Sequence, residues 1–127
     1  MERFLWICFA GALGTGARYL VGLWAASRLG ATFPYGTLAV NLVGCFLVGL
    51  ATHASLAITS VPATVRLAIT TGFLGGFTTY SSFNYETTRL AEDGARGAAL
   101  ANVGVTVIGG FAAGLLGLAL ARRLFPA

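Results

Sequence analysis

The sequence predicts an all-α membrane protein of four transmembrane helices, with the third helix broken near its middle. Three observations carry that expectation. Of the 127 residues 57% are hydrophobic and 9% charged, with a mean hydropathy of +0.82, whereas an average soluble domain carries about 25% charged residues. Four apolar runs, approximately residues 4–26, 35–56, 65–90 and 97–120, each reach or exceed the roughly 20 residues that a spanning helix requires. The third run contains the stretch TTGFLGGFTTYSSFNYE (residues 70–86), which holds three glycines, four threonines, two serines, an asparagine and a glutamate. A helix in lipid satisfies its backbone only internally, so such a stretch must be covered by protein or line a water-filled cavity.

The first run begins MERFLWICFAGALGTGA, which imitates a secretory signal: a charge, an apolar core, then small residues. Arg18 follows at once and the apolar pattern resumes through YLVGLWAA, so the segment is expected to remain as a span. Within it GALGTG (residues 11–16) resembles a nucleotide-binding glycine turn but lacks the preceding strand and βαβ unit that the fingerprint needs. Small residues that let helices pack closely explain it, as they explain GFAAG at 110–114. Pro34 and Pro62 mark the joints before the second and third spans, because proline suits a first helical turn and disfavours helix in the residue before it. The four spans account for a single transmembrane domain over residues 1–127, with nothing left for a soluble one. A chain this short is small for burying a polar pathway alone, so association is expected.

Cys8 and Cys45 sit in apolar runs, where cysteine behaves as a small hydrophobe. His53 has no second ligand at metal-binding spacing. With no triad or P-loop signature either, an enzyme is not expected. All eight basic residues are arginines. They are scattered over helix ends, where interface anchoring accounts for them and nucleic-acid binding is not implied. With four spans, Arg3, Arg66, Arg122 and Arg123 fall on one side of the membrane and Arg28, Arg89 and Arg96 on the other, with Arg18 inside the first span. Arginine excess fixes orientation, so this near balance predicts insertion both ways round. Two oppositely inserted copies would pair as an antiparallel, dual-topology homodimer about an axis in the membrane plane.

Only mid-bilayer residues can meet their own copies on that axis, and Gly75 to Thr78 lie near the middle of the third span. Gly75 and Gly76 invite a helix break there, with Thr78 and Thr79 bonding to the freed backbone. The alternative is an intact helix whose glycines form a packing seam. Two facing breaks would offer a ring of carbonyl oxygens to one hard monovalent cation such as sodium.

Arg18 and Glu86 are charges within spans, costly unless paired or facing water. An ion pair at a vestibule is one reading, and separate snorkelling to the interface the other. Thr37 and Asn41, and likewise Asn102 and Thr106, stand four residues apart and share a helix face. Their N–H and O–H donors can replace part of an ion's hydration, or serve as interhelical glue. Tyr80 and Phe83 are three apart, and their positive ring edges suit an anion. Donors without full charge in a narrow passage suit a small anion that must enter and leave.

The stretches GTLAVNLVGCFLVG (36–49) and TGFLGGFTTYSSFNYE (71–86), with GARY (16–19), closely resemble the Fluc/CrcB fluoride channels, and the similarity covers essentially the whole chain. That resemblance implies a four-helix, dual-topology protein of the cell inner membrane that works as an antiparallel homodimer with two fluoride pores and a central structural sodium ion. Such a protein exports cytoplasmic fluoride passively and protects the cell from its toxicity. By motif position it assigns Asn41, Tyr80 and Phe83 to the pore, with Thr37, Asn102 and Thr106 along its polar lining. It assigns the carbonyls of Gly75 and Thr78 to sodium, and Arg18 and Glu86 to the corresponding charged positions. Tyr80 departs from the phenylalanine more usual there. A small proton-coupled multidrug exporter of the dual-topology, four-helix type is the alternative. It would want a carboxylate in the first span, where Arg18 stands instead. A structural membrane subunit would need none of the polar stripes.

Overall fold

The computed structural model describes residues 1–58 and 60–126, and among these every regular element is a helix. α1 (Glu2–Leu29) ends at Gly30, whose φ of 84° is the left-handed conformation glycine adopts without penalty, and the Gly30 N–H caps the Ala26 carbonyl. α2 (Tyr35–Ala57) starts directly after Pro34. The third crossing is made by two helices in series. α3 covers residues 63–77 and contains a wider π-helical turn at Ala68–Leu74, while α4 covers Tyr80–Glu92. A tight turn at Gly94 (φ 81°) leads into α5 (Arg96–Leu124), which carries its own π-turn at Val105–Gly109. Glu2–Leu29, Tyr35–Ala57 and Arg96–Leu124 are each long and apolar enough to cross a membrane. The all-α organisation expected from the sequence, with the third helix interrupted, is what the structure shows among the described residues.

Two seams hold the bundle. α1 packs along α3, and α2 along the second half of α5. Both depend on glycine for close approach. A Cβ at Gly14 would collide with the Phe73 carbonyl of α3, and one at Gly117 with the Phe46 carbonyl of α2. Without a hydrophobic drive between helices in lipid, such backbone proximity supplies the dispersion contact that holds them together. Large apolar side chains, among them Leu20, Trp24, Leu100 and Ile108, point outward, as lipid-facing positions do. At one end His53 Nε2 lies 3.2 Å from the Phe125 carbonyl and ties α2 to the end of the chain.

The interruption lies three residues beyond the position expected from the glycine pair. Gly75 keeps helical angles (φ −63°, ψ −38°). The chain becomes extended at Thr78 (φ −87°, ψ 158°) and Thr79 (φ −154°, ψ 113°). Gly76 serves a packing purpose instead: a Cβ there would meet the Gly11 carbonyl of α1. Both alternatives weighed for the glycines therefore hold in part, a close-packed seam followed by a break.

Candidate functional site

Backbone groups released by the break are taken up by side chains from three different segments. Asn41 of α2 makes a two-bond clamp on Thr79: its Nδ2 donates to the Thr79 carbonyl (3.0 Å) and its Oδ1 accepts from the Thr79 N–H (2.8 Å). In an uninterrupted helix that N–H would serve the Gly75 carbonyl. Thr79 Oγ1 caps α4 by accepting from the Ser82 N–H (3.2 Å), which would otherwise serve the Thr78 carbonyl, and it donates to Ser82 Oγ (3.1 Å). The carbonyls of Gly75 and Thr78 thus both lose their ordinary helical donors. Thr78 turns its own hydroxyl back onto the Leu74 carbonyl (3.0 Å), which also receives the Thr78 N–H.

Arg18 of α1 supplies the third contact, donating from Nε to the Gly76 carbonyl (3.1 Å). It forms no ion pair with Glu86. Among the described residues the salt bridge present is Arg89–Asp93, on the exposed end of α4. The expectation of an Arg18–Glu86 pair is corrected by the break itself: an unpaired carbonyl lies at the depth of Arg18, and the guanidinium satisfies it there. Glu86 instead accepts from Thr37 Oγ1 (2.8 Å) through Oε1, and its Oε2 is buried without a hydrogen-bond partner among the described residues.

These contacts divide the candidate residues between two cavities. The larger, about 790 Å³, is a groove between α2, α3, α4 and α5, lined in part by Asn41, Gly75, Thr78, Tyr80, Phe83 and Thr106. The rings of Tyr80 and Phe83 lie with centroids 5.7 Å apart at 55°. Phe83 is 8% exposed and Tyr80 78%. The Thr106 hydroxyl oxygen is buried and has no hydrogen-bond partner among the described residues. The smaller cavity, about 430 Å³, opens at the end of the bundle where α1 turns into α2, and Thr37, Glu86, Tyr85 and Arg89 line it. Thr37 and Asn41 thus share a helix face but serve different cavities.

Asn102 departs from its expected place. Its side chain is 1% exposed, lines neither cavity, and donates from Nδ2 to Thr87 Oγ1 (2.8 Å) across the seam between α4 and α5. One turn further along α5, Thr106 does reach the groove. The expected bonding of Thr78 and Thr79 to backbone groups at the break is present, but sequence reasoning did not single out Ser82 as the residue that Thr79 caps, and it missed the contact of Thr87 with Asn102. The spacing of Thr79 and Ser82, shortly after a glycine pair, is an N-cap signal that would have located the start of α4. No local pattern announces the Thr87–Asn102 contact.

The CrcB-like protein, Camphor Resistance (CrcB) family model matches residues 5–118. The chain belongs to this family. Among its CrcB-like relatives, the "Fluoride-specific ion channel FluC" of Sorangium cellulosum (strain So ce56) is 50% identical over 124 residues, covering 98% of each chain. Proteins of the same description from Acidobacterium capsulatum and Citrifermentans bemidjiense are 46% and 47% identical. The first alignment covers 96% of this chain and 98% of the relative, the second 98% and 100%. Membership of this family, together with the apolar helices, makes the chain a multi-pass membrane protein.

Proposed function

We propose that this chain is a fluoride-specific ion channel that lets cytoplasmic fluoride leave the cell passively, working as an antiparallel dual-topology homodimer in the cell inner membrane. The observation that carries the reading is the clamped break opening onto a groove of uncharged donors and ring edges, in a chain that aligns end to end with fluoride-specific channels.

The chemistry follows from what remains free. Asn41 has two amide N–H groups and one is committed to Thr79, which leaves the other for an anion in the groove. The Tyr80 and Phe83 edges carry positive electrostatic potential, and Thr106 carries an O–H with no acceptor among the described residues. None of these bears a formal charge, so a small anion is given substitutes for water without being trapped. At the other end, the Thr37–Glu86 contact borders the smaller cavity, which serves as a mouth of the path.

The exposed backbone at the break supports a second copy. Gly75 and Tyr80 are exposed at mid-span, and a carbonyl stripped of its donor cannot face hydrocarbon. Another protomer, oppositely inserted as the balanced arginines allow, covers the groove and brings two breaks together. The carbonyls of Gly75 and Thr78 fit a structural sodium ion, being hard, neutral oxygens whose helical donors have gone to Asn41 and Thr79. The ion would supply positive charge that offsets the facing carbonyl dipoles.

Proteoliposomes loaded with fluoride test the reading. Rapid, voltage-driven efflux without a proton gradient is expected, with chloride retained. Vesicles that hold their fluoride, or efflux that requires proton exchange, would refute it. Replacing sodium on both sides by a bulky organic cation is expected to slow fluoride efflux and loosen the dimer in detergent, and unchanged flux would remove sodium from the account.

A further inference from the structure

α4 carries both pore rings yet is joined to α3 only through the two extended residues Thr78 and Thr79. Its orientation is consequently not inherited from α3 and must be set by lateral contacts. Asn41 pins its N-terminus and Thr37 reaches Glu86 from the α2 side. On the α5 side stands a short relay. Asn102 Nδ2 donates to Thr87 Oγ1 (2.8 Å), and Thr87 Oγ1 donates to the Phe83 carbonyl (2.6 Å). The one hydroxyl proton of Thr87 and a lone pair are both used, so the direction of the relay is fixed: amide to hydroxyl to the backbone of the residue bearing the buried ring. Asn102 is enclosed at 1% exposure and Phe83 at 8%, so water does not compete effectively for either contact.

We infer that Asn102 and Thr87 act together as positioning residues, holding the turn that carries Phe83 at the angle at which its ring edge meets the ion, and that Asn102 does not touch fluoride. The role rests on the fluoride-channel reading. It makes Thr87, whose side chain lines neither cavity, as important for throughput as Asn102.

The experiment compares Asn102→Leu, Thr87→Val, the double variant and Thr87→Ser in proteoliposomes, reading fluoride efflux and the fluoride-to-chloride permeability ratio, with thermal unfolding in detergent alongside. Thr87→Val, which keeps the shape but removes both bonds, is expected to reduce fluoride throughput about three- to tenfold, the scale of one buried hydrogen bond. The permeability ratio should fall with it. Asn102→Leu should do the same, the double variant no worse than either, and Thr87→Ser should restore wild-type behaviour. Normal throughput in Thr87→Val with loss in Asn102→Leu would place Asn102 against the ion and overturn the inference. Additive losses would overturn it too. So would flux losses that follow the melting temperature with an unchanged permeability ratio, since a merely structural contact has that signature. Should Asn102→Leu fail to assemble, Thr87→Val against Thr87→Ser decides the matter alone. A silent wild-type protein would refute the channel reading and this role with it, whereas wild-type flux with an unimpaired Thr87→Val refutes the role only.

Discussion

Replacing Asn41 with aspartate is expected to reduce fluoride efflux by about two orders of magnitude, because two losses of roughly 1–3 kcal/mol each coincide. The carboxylate can still accept the Thr79 N–H, but it offers no donor to the Thr79 carbonyl and sets like partial charges face to face across 3.0 Å. It also removes the second amide N–H from the groove and puts a negative charge where an anion must pass. Initial efflux rates from fluoride-loaded vesicles at neutral pH measure the effect. Efflux within a factor of about two of wild type, smaller than the loss of a single net hydrogen bond, would mean that Asn41 neither holds the break nor meets the ion.

Gly14→Val is expected to damage the fold severely. The new Cβ would collide with the Phe73 carbonyl, a backbone atom that no side-chain rotation can move, so α1 and α3 must separate. Overpacking of this kind costs about 1–3 kcal/mol, and here the separation also draws Arg18 away from the Gly76 carbonyl. A marked fall in the melting temperature of the detergent-solubilised protein is expected, together with loss of flux. Gly16→Val, two residues along the same helix, meets nothing within 4 Å and serves as the control. Equal melting temperatures for the two variants would show that the α1–α3 seam does not depend on glycine at position 14.

The helical class and the long apolar helices were legible because apolar length is a property of consecutive residues, and a break was suggested because a cluster of glycine and hydroxyl residues in lipid serves either close packing or an interrupted backbone. The position of the break was not legible in the same way. Glycines at 75 and 76 and threonines at 78 and 79 are each able to interrupt a helix, and the choice between them was made by α1, which needs Gly76 for its own approach, and by α2, which delivers Asn41 to Thr79. The partner of Arg18 failed to emerge for a related reason. Charge complementarity points to Glu86, whereas the carbonyl that Arg18 binds exists as a free acceptor only once the helix is broken. Asn102 and Thr106 read alike by spacing, yet one turn of α5 separates a residue sealed against α4 from one that lines the groove.

The two side chains that fasten residues 76 and 79 come from positions 18 and 41, both of which precede α4 in the chain. During synthesis, therefore, both anchors emerge before the interrupted segment, so the Gly76 carbonyl and the Thr79 backbone find their partners as that segment arrives, and only the Gly75 and Thr78 carbonyls wait for a second copy. Exchanging the order of the spans by circular permutation would keep every contact yet deliver the interrupted segment before its anchors.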